Sequence, residues 1–203
     1  MSFRYKFSIV LIVLGLISVI MSFGGKSNAF TPPEKILGTL LSGTYSISPD
    51  KLAVMIVSQD SGMQIVDVRS PEQYKSGSIP GAVNIPLANL LEPGYKTTLS
   101  SRDTKTIFVD RDGMLSTQAW MLCTQKAYKG LFILGGGLEE WETIIMKSKF
   151  EGETISPEEN ALFEKRYQAR RLFVQWNSMP DSLKTGFFAA KSKKDKELVG
   201  GCE

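Results

Sequence analysis

Between Ser48 and Phe150, short β-branched runs alternate with segments of helical character, and few architectures accommodate that order. Ile65-Val66-Asp67-Val68, Ala82–Ile85, Thr106–Val109 and Leu131–Leu134 read as four short strands, the second closed by Pro86 and the fourth by Gly135-Gly136-Gly137. A helix is expected after Ser48, with Ser48 as N-cap, Pro49 at the first helical position and Leu52, Val54, Met55 and Val57 within it. A helical turn is expected over Pro71–Lys75, a helix from Ser116 to about Tyr128 and another over Leu138–Met146. Strands that alternate with helices predict an α/β fold, a parallel sheet flanked by helices.

The ends of the chain read differently. Phe7–Phe23 is an uncharged apolar run preceded by Arg4 and Lys6, expected to be a hydrophobic helix. It suits either a cleaved signal peptide, ending at Ser27-Asn28-Ala29, or a short uncleaved membrane anchor. Both readings keep the N-terminus in the cytoplasm and place the rest outside it, in a periplasm or an equivalent compartment. Residues 30–47, with Pro32-Pro33, read as a linker carrying one short helix near Glu34–Leu41. Beyond the strands, Ser156-Pro157-Glu158-Glu159 has the form of a capping box and opens a long helix to about Trp176. Leu162, Ala169, Phe173 and Trp176 form its expected apolar stripe, and the expectation is that it docks on its own domain or on a partner. A second short helix is expected over Ser182–Ala190. The Lys-rich stretch 191–203, which contains Cys202, is expected to be mobile.

Arg4, Lys6 and Lys26, with no acid among residues 1–29, account for the whole formal charge of +3. The remainder is neutral, which argues against nucleic acid as a partner, since that requires clustered cations. The chain has no histidine, the commonest general base near neutral pH, so a Cys-His or Ser-His hydrolase in its usual form is excluded. Two cysteines are too few for a disulfide scaffold or an all-cysteine zinc site. Neither a metal nor a cofactor is expected. Cys123 shares an apolar helical stripe with Ala119, Trp120 and Ala127 and reads as a buried structural residue.

Four segments, in order, resemble the rhodanese family. Asp67-Val68-Arg69 with Glu72 and Tyr74 resembles its "DVR…E(Y/F)" signature. Gly77–Pro86 resembles "GHIPGAxNIP", with Ser78 at the histidine. Thr106–Val109 leads into a glycine-containing loop and a helix, and Leu134–Leu138 with Trp141 resembles the closing "L.GG…W". The resemblance spans roughly Ser48–Phe150 and implies a rhodanese-like domain over 48–150, followed by a helical extension over 151–190. Arg69 and Glu72 are expected to pair across the turn after the strand, with Asp67 bonding nearby backbone.

The resemblance also implies what the loop at Asp110 should do. In the family, a cysteine here takes sulfur from a donor and carries it as a persulfide, surrounded by backbone N–H groups and a helix N-terminus. The loop in this chain reads Asp110-Arg111-Asp112-Gly113-Met114-Leu115-Ser116, with Asp110 on the cysteine position and Leu115 where a second arginine often stands. A carboxylate cannot accept a sulfane sulfur, and two acids disfavour an anionic donor. The expectation is an exported or membrane-anchored homologue, inactive as a sulfurtransferase, that binds a protein partner or a small anion. Two enzymatic alternatives stand beside it. One is a sulfur-handling enzyme using the thiol of Cys202. The other is a metal-dependent phosphatase, because Asp110-Arg111-Asp112-Gly113 also resembles the DxDG(T/S) motif of haloacid-dehalogenase-like enzymes, with Met114 in place of Thr or Ser.

Overall fold

The computed structural model describes residues 12–15, 30–100, 103–149, 156–184 and 186–187. The chain divides into two compact units, Met1–Phe30 and Thr31–Glu203. In the first, residues 12–15 are helical and exposed; the rest of Phe7–Phe23 lies outside the described residues, as do Cys202 and the Lys-rich tail. Among the described residues, no helix is long and apolar enough to cross a membrane.

The second unit is built on a five-stranded sheet of order β1-β5-β4-β2-β3. Its strands are β1 (Ser46–Ile47), β2 (Met63–Asp67), β3 (Val83–Asn84), β4 (Lys105–Val109) and β5 (Leu131–Leu134). Every pairing is parallel; in the centre Ile65 lies opposite Ile107 and Val66 opposite Phe108. Both faces are buried, so alternate residues of one strand enter different cores. Ile65, Ile107, Val109 and Leu134 face one cluster, with Leu52, Ala53 and Ile56 of helix α2 (Pro49–Val57). Val66, Phe108, Leu131 and Ile133 face the other, with Ala119, Trp120 and Cys123 of helix α5 (Met114–Gln125).

Local chemistry sets the helix starts. Ser48 caps α2 by accepting the Lys51 N–H, and Ser70 with Gln73 forms a capping box on α3 (Pro71–Ser76). Helix α1 (Pro33–Ser42) precedes β1, and the sheet therefore reaches into the stretch read from sequence as linker: Ser46–Ile47 pairs with β5. Two residues are too few to show a period. A short helix α4 (Lys96–Leu99) precedes β4. After β5, α6 (Gly137–Trp141) widens into a π-helical turn, Glu142–Met146, where the sequence suggests one regular helix. The Ile145 carbonyl there accepts from Nε and Nη2 of Arg170 at 3.1 and 3.0 Å.

The long C-terminal helix α7 (Pro157–Ser178) starts on the expected capping box, in which Ser156 and Glu159 exchange bonds. It docks on its own domain, beside α2. Ala169, Leu172 and Trp176 are buried, and Arg166 grips Asp50 of α2 with two bonds of 2.6 and 2.7 Å. The stripe differs from the sequence reading in one place. Leu162 is exposed and Phe173 only half-buried, while Leu172 takes a core position. The helix meets α2 along its 169–172–176 edge, and that choice depends on where α2 lies. A short helix, α8 (Asp181–Lys184), follows; residues 188–190 of the expected second helix lie outside the described residues.

Candidate functional site

Strand β4 ends at Val109 in the centre of the sheet and delivers Asp110 to the mouth of the loop that opens α5. This is the C-terminal edge of a parallel sheet, where α/β folds gather their functional groups. Asp110 is 1 % exposed. Its Oδ1 accepts the Gly113 N–H at 2.8 Å and the Ser116 hydroxyl at 2.7 Å, and its Oδ2 accepts the Leu115 N–H at 2.8 Å. The carboxylate thus sits inside the ring of donors formed by its own loop and the first turn of α5. This capping explains why the helix begins at Met114, two residues before Ser116. The first-turn donors, orphaned in any helix, are satisfied by a residue upstream.

A second layer holds the loop down. The Asp110 carbonyl accepts from the Leu138 N–H and the Arg111 carbonyl from the Glu139 N–H, both at 2.9 Å. Gly137, at φ +60°, makes that approach possible: a Cβ there would stand 2.5 Å from the Arg111 carbonyl oxygen. The glycine run after β5 is therefore the clamp on the Asp110 loop, a role the sequence pattern alone does not reveal.

The loop's remaining charges point outward. Arg111 donates to Glu139 at 2.7 Å, and both side chains are exposed. That hydrogen bond and the carboxylate's charge raise the Arg111 pKa above its ordinary value. Asp112 accepts the Met114 N–H at 3.0 Å. Met114 is 66 % exposed, and Leu115 packs on the α5-side cluster. Gly113, at φ +94°, makes the turn from strand to helix. Among the described residues, no group of three or more His, Cys, Asp or Glu is arranged to hold a metal ion. Cys123 is fully buried in the second cluster, and burial pushes its thiol up to about 12. A thiol in that state is a poor nucleophile. Cys202 lies outside the described residues.

Two other sequence expectations resolve nearby. Arg69 does not pair with Glu72. It turns back on Asp67 through contacts of 2.6–3.2 Å and donates to the Gly77 carbonyl. Both charges are buried, so each needs its counter-ion, whereas Glu72 faces solvent. Asp67 also accepts the Arg69 backbone N–H, as expected. Ser78 is fully buried under the C-terminal extension. Its hydroxyl accepts from the Trp176 indole at 3.1 Å, and its backbone exchanges two bonds with the Asn177 amide. Sequence reasoning singled out Ser78 without this partner, because the contact joins residues almost one hundred positions apart.

The model of the rhodanese-like domain matches residues 48–144. The human thiosulfate:glutathione sulfurtransferase is 30% identical over 112 residues, covering 50% of this chain and 96% of that protein. This chain belongs to the rhodanese-like family. The putative sulfurtransferase YtwF of Bacillus subtilis is 28% identical over 86 residues, 42% of this chain and 80% of that one. Among solved structures, the human single-domain sulfurtransferase TSTD1 is similar with a TM-score of 0.43 at 28% identity, over 50% of this chain and 97% of that chain. The rhodanese-like domain thus forms about half of this protein, and the matched segment ends before α7.

Proposed function

We propose that this protein is an exported or membrane-anchored rhodanese-like module that does not transfer sulfur and acts by binding a protein partner. The observation that carries this reading is the Asp110 carboxylate, held by three donors at 2.7–2.8 Å inside the loop. By the motif resemblance, Asp110 stands where the family has its sulfur-accepting cysteine. The donors that would stabilise a persulfide are already paired with a covalently tethered anion. A free anion such as thiosulfate would have to displace a carboxylate whose effective concentration is very high. The Arg111–Glu139 pair cancels much of the positive charge that would attract one. Of the two ligand classes expected from sequence, this favours a protein over a small anion. The same bonds weigh against Asp110 as a phosphatase nucleophile, since both of its oxygens face the loop interior.

The relatives' names keep sulfur transfer as the reading to be tested against. Purified protein would be incubated with thiosulfate and cyanide, and thiocyanate followed, beside a Cys123→Ala/Cys202→Ser variant and Asp110→Cys. No turnover above the blank is expected from the native chain. Turnover that survives loss of both cysteines would overturn the proposal. Turnover lost only with Cys202 would move the chemistry to the C-terminal tail.

A further inference from the structure

Helix α1 carries an apolar side wider than its own domain uses. Ile36 and Leu40 pack on the cluster around α5. One position round the helix, Leu37 and Leu41 are 56 % and 80 % exposed. Glu34, Lys35, Thr39 and Ser42 occupy the other side. Between the helices lies an open apolar groove of about 250 Å³, lined by Pro33, Ile36, Leu37 and Leu40 of α1 and by Met121 and Leu122 of α5. The Thr31 N–H bonds to the Gln125 carbonyl at 3.3 Å, fixing the start of α1 against the end of α5.

We infer that this face rests on the membrane bilayer, an inference built on the membrane-anchored reading above. Two features select that occupant. The first is the tether. Ten residues separate Phe23, the last of the apolar run, from Pro33, the first of α1. At full extension they span roughly 35 Å, so an anchored chain cannot carry α1 far from the lipid surface. The second is charge. Lys126 and Lys129 follow the end of α5 directly and are exposed, as is Lys35 of α1, whereas Glu34 is the one acid on α1. Exposed leucines beside lysines suit the boundary between acyl chains and anionic headgroups. Two leucines bind a bilayer weakly on their own, but the tether converts that contact into an intramolecular one. Helix α7 packs on the opposite face of the sheet, so membrane contact through α1 leaves the C-terminal extension open to solution.

The test uses the full chain in vesicles of phosphatidylcholine with phosphatidylglycerol. In a Cys202→Ser background, an environment-sensitive fluorophore is attached to Leu37→Cys or Leu41→Cys, and to Glu158→Cys on α7 as control. These side chains are exposed, so labelling should not disturb folding. The expected result is a blue-shifted emission at 37 and 41, quenched several-fold more by brominated lipids than at 158. Emission at 37 and 41 as water-like as at 158, from protein that floats with the vesicles, overturns the α1 contact and leaves the anchor standing. Protein that does not float with the vesicles overturns both.

Discussion

Replacing Asp110 by Ala removes an acceptor that serves three donors in a site closed to solvent. The N–H groups of Gly113 and Leu115 and the Ser116 hydroxyl lose partners at 2.8, 2.8 and 2.7 Å. A buried donor left without an acceptor costs about 1–3 kcal/mol. Water entering the vacated space would recover part of this, so each donor is taken at the low end and the sum is about 3 kcal/mol. For a domain of this size, about 2–4 °C of melting temperature accompanies each kcal/mol, so the expected fall is roughly 6–12 °C. Asp110→Asn separates geometry from charge. It keeps one oxygen for two of the donors but turns an amide N–H₂ toward a donor. Its expected loss is about 1–2 kcal/mol. The assay is thermal and urea unfolding of the three proteins, with hydrogen exchange at the Leu115 amide. Exchange at Leu115 should accelerate selectively in Asp110→Ala. An Ala variant that melts within a degree of the native protein, with Leu115 protection unchanged, would refute the view that this carboxylate occupies and stabilises the loop.

Two further outcomes follow from the packing. Trp176→Ala with Phe173→Ala removes the indole bonded to Ser78 and the ring 6.4 Å from Trp141; since losing one buried aromatic costs about 3–5 kcal/mol, the melting temperature should drop by 10 °C or more, and an unchanged value with α7 readily proteolysed would show that the extension does not rely on this contact. In a Cys202→Ser background, Cys123 should not react with a thiol reagent at pH 8 until the protein is denatured, because burial raises its pKa to about 12; the raised folded value means that Cys123's stabilising contribution is complete below the unfolded pKa near 8.5 and is lost as pH rises through the folded one, so urea midpoints should fall above pH 9 and less so in Cys123→Ala.

Much of the fold was legible because its signals are local. β-Branched runs, Ser-Pro helix starts and the Ser156–Glu159 capping box each act within four or five residues, so α2, α3, the four longer strand segments and the start of α7 could be placed from sequence alone. The order of four motifs, Asp67–Tyr74, Gly77–Pro86, the loop at Asp110 and Leu134–Trp141, pointed to the family. The sequence also placed a carboxylate at the loop mouth, which bears directly on the chemistry. Only the tertiary structure decided what that carboxylate does. That Asp110 points into the donor ring depends on the chain turning at Gly113 and on Gly137 letting two loops approach, a contact between residues far apart in sequence. Arg69 selects Asp67 over Glu72 because burial, not proximity along the chain, sets which charge must be paired. β1 is too short to announce itself and exists because β5 offers it an edge. The buried edge of α7 was likewise fixed by its neighbours. A helix displays its apolar residues in sequence, but which of them, Leu162 or Leu172, meets the core is settled by where α2 and Ser78 lie in space.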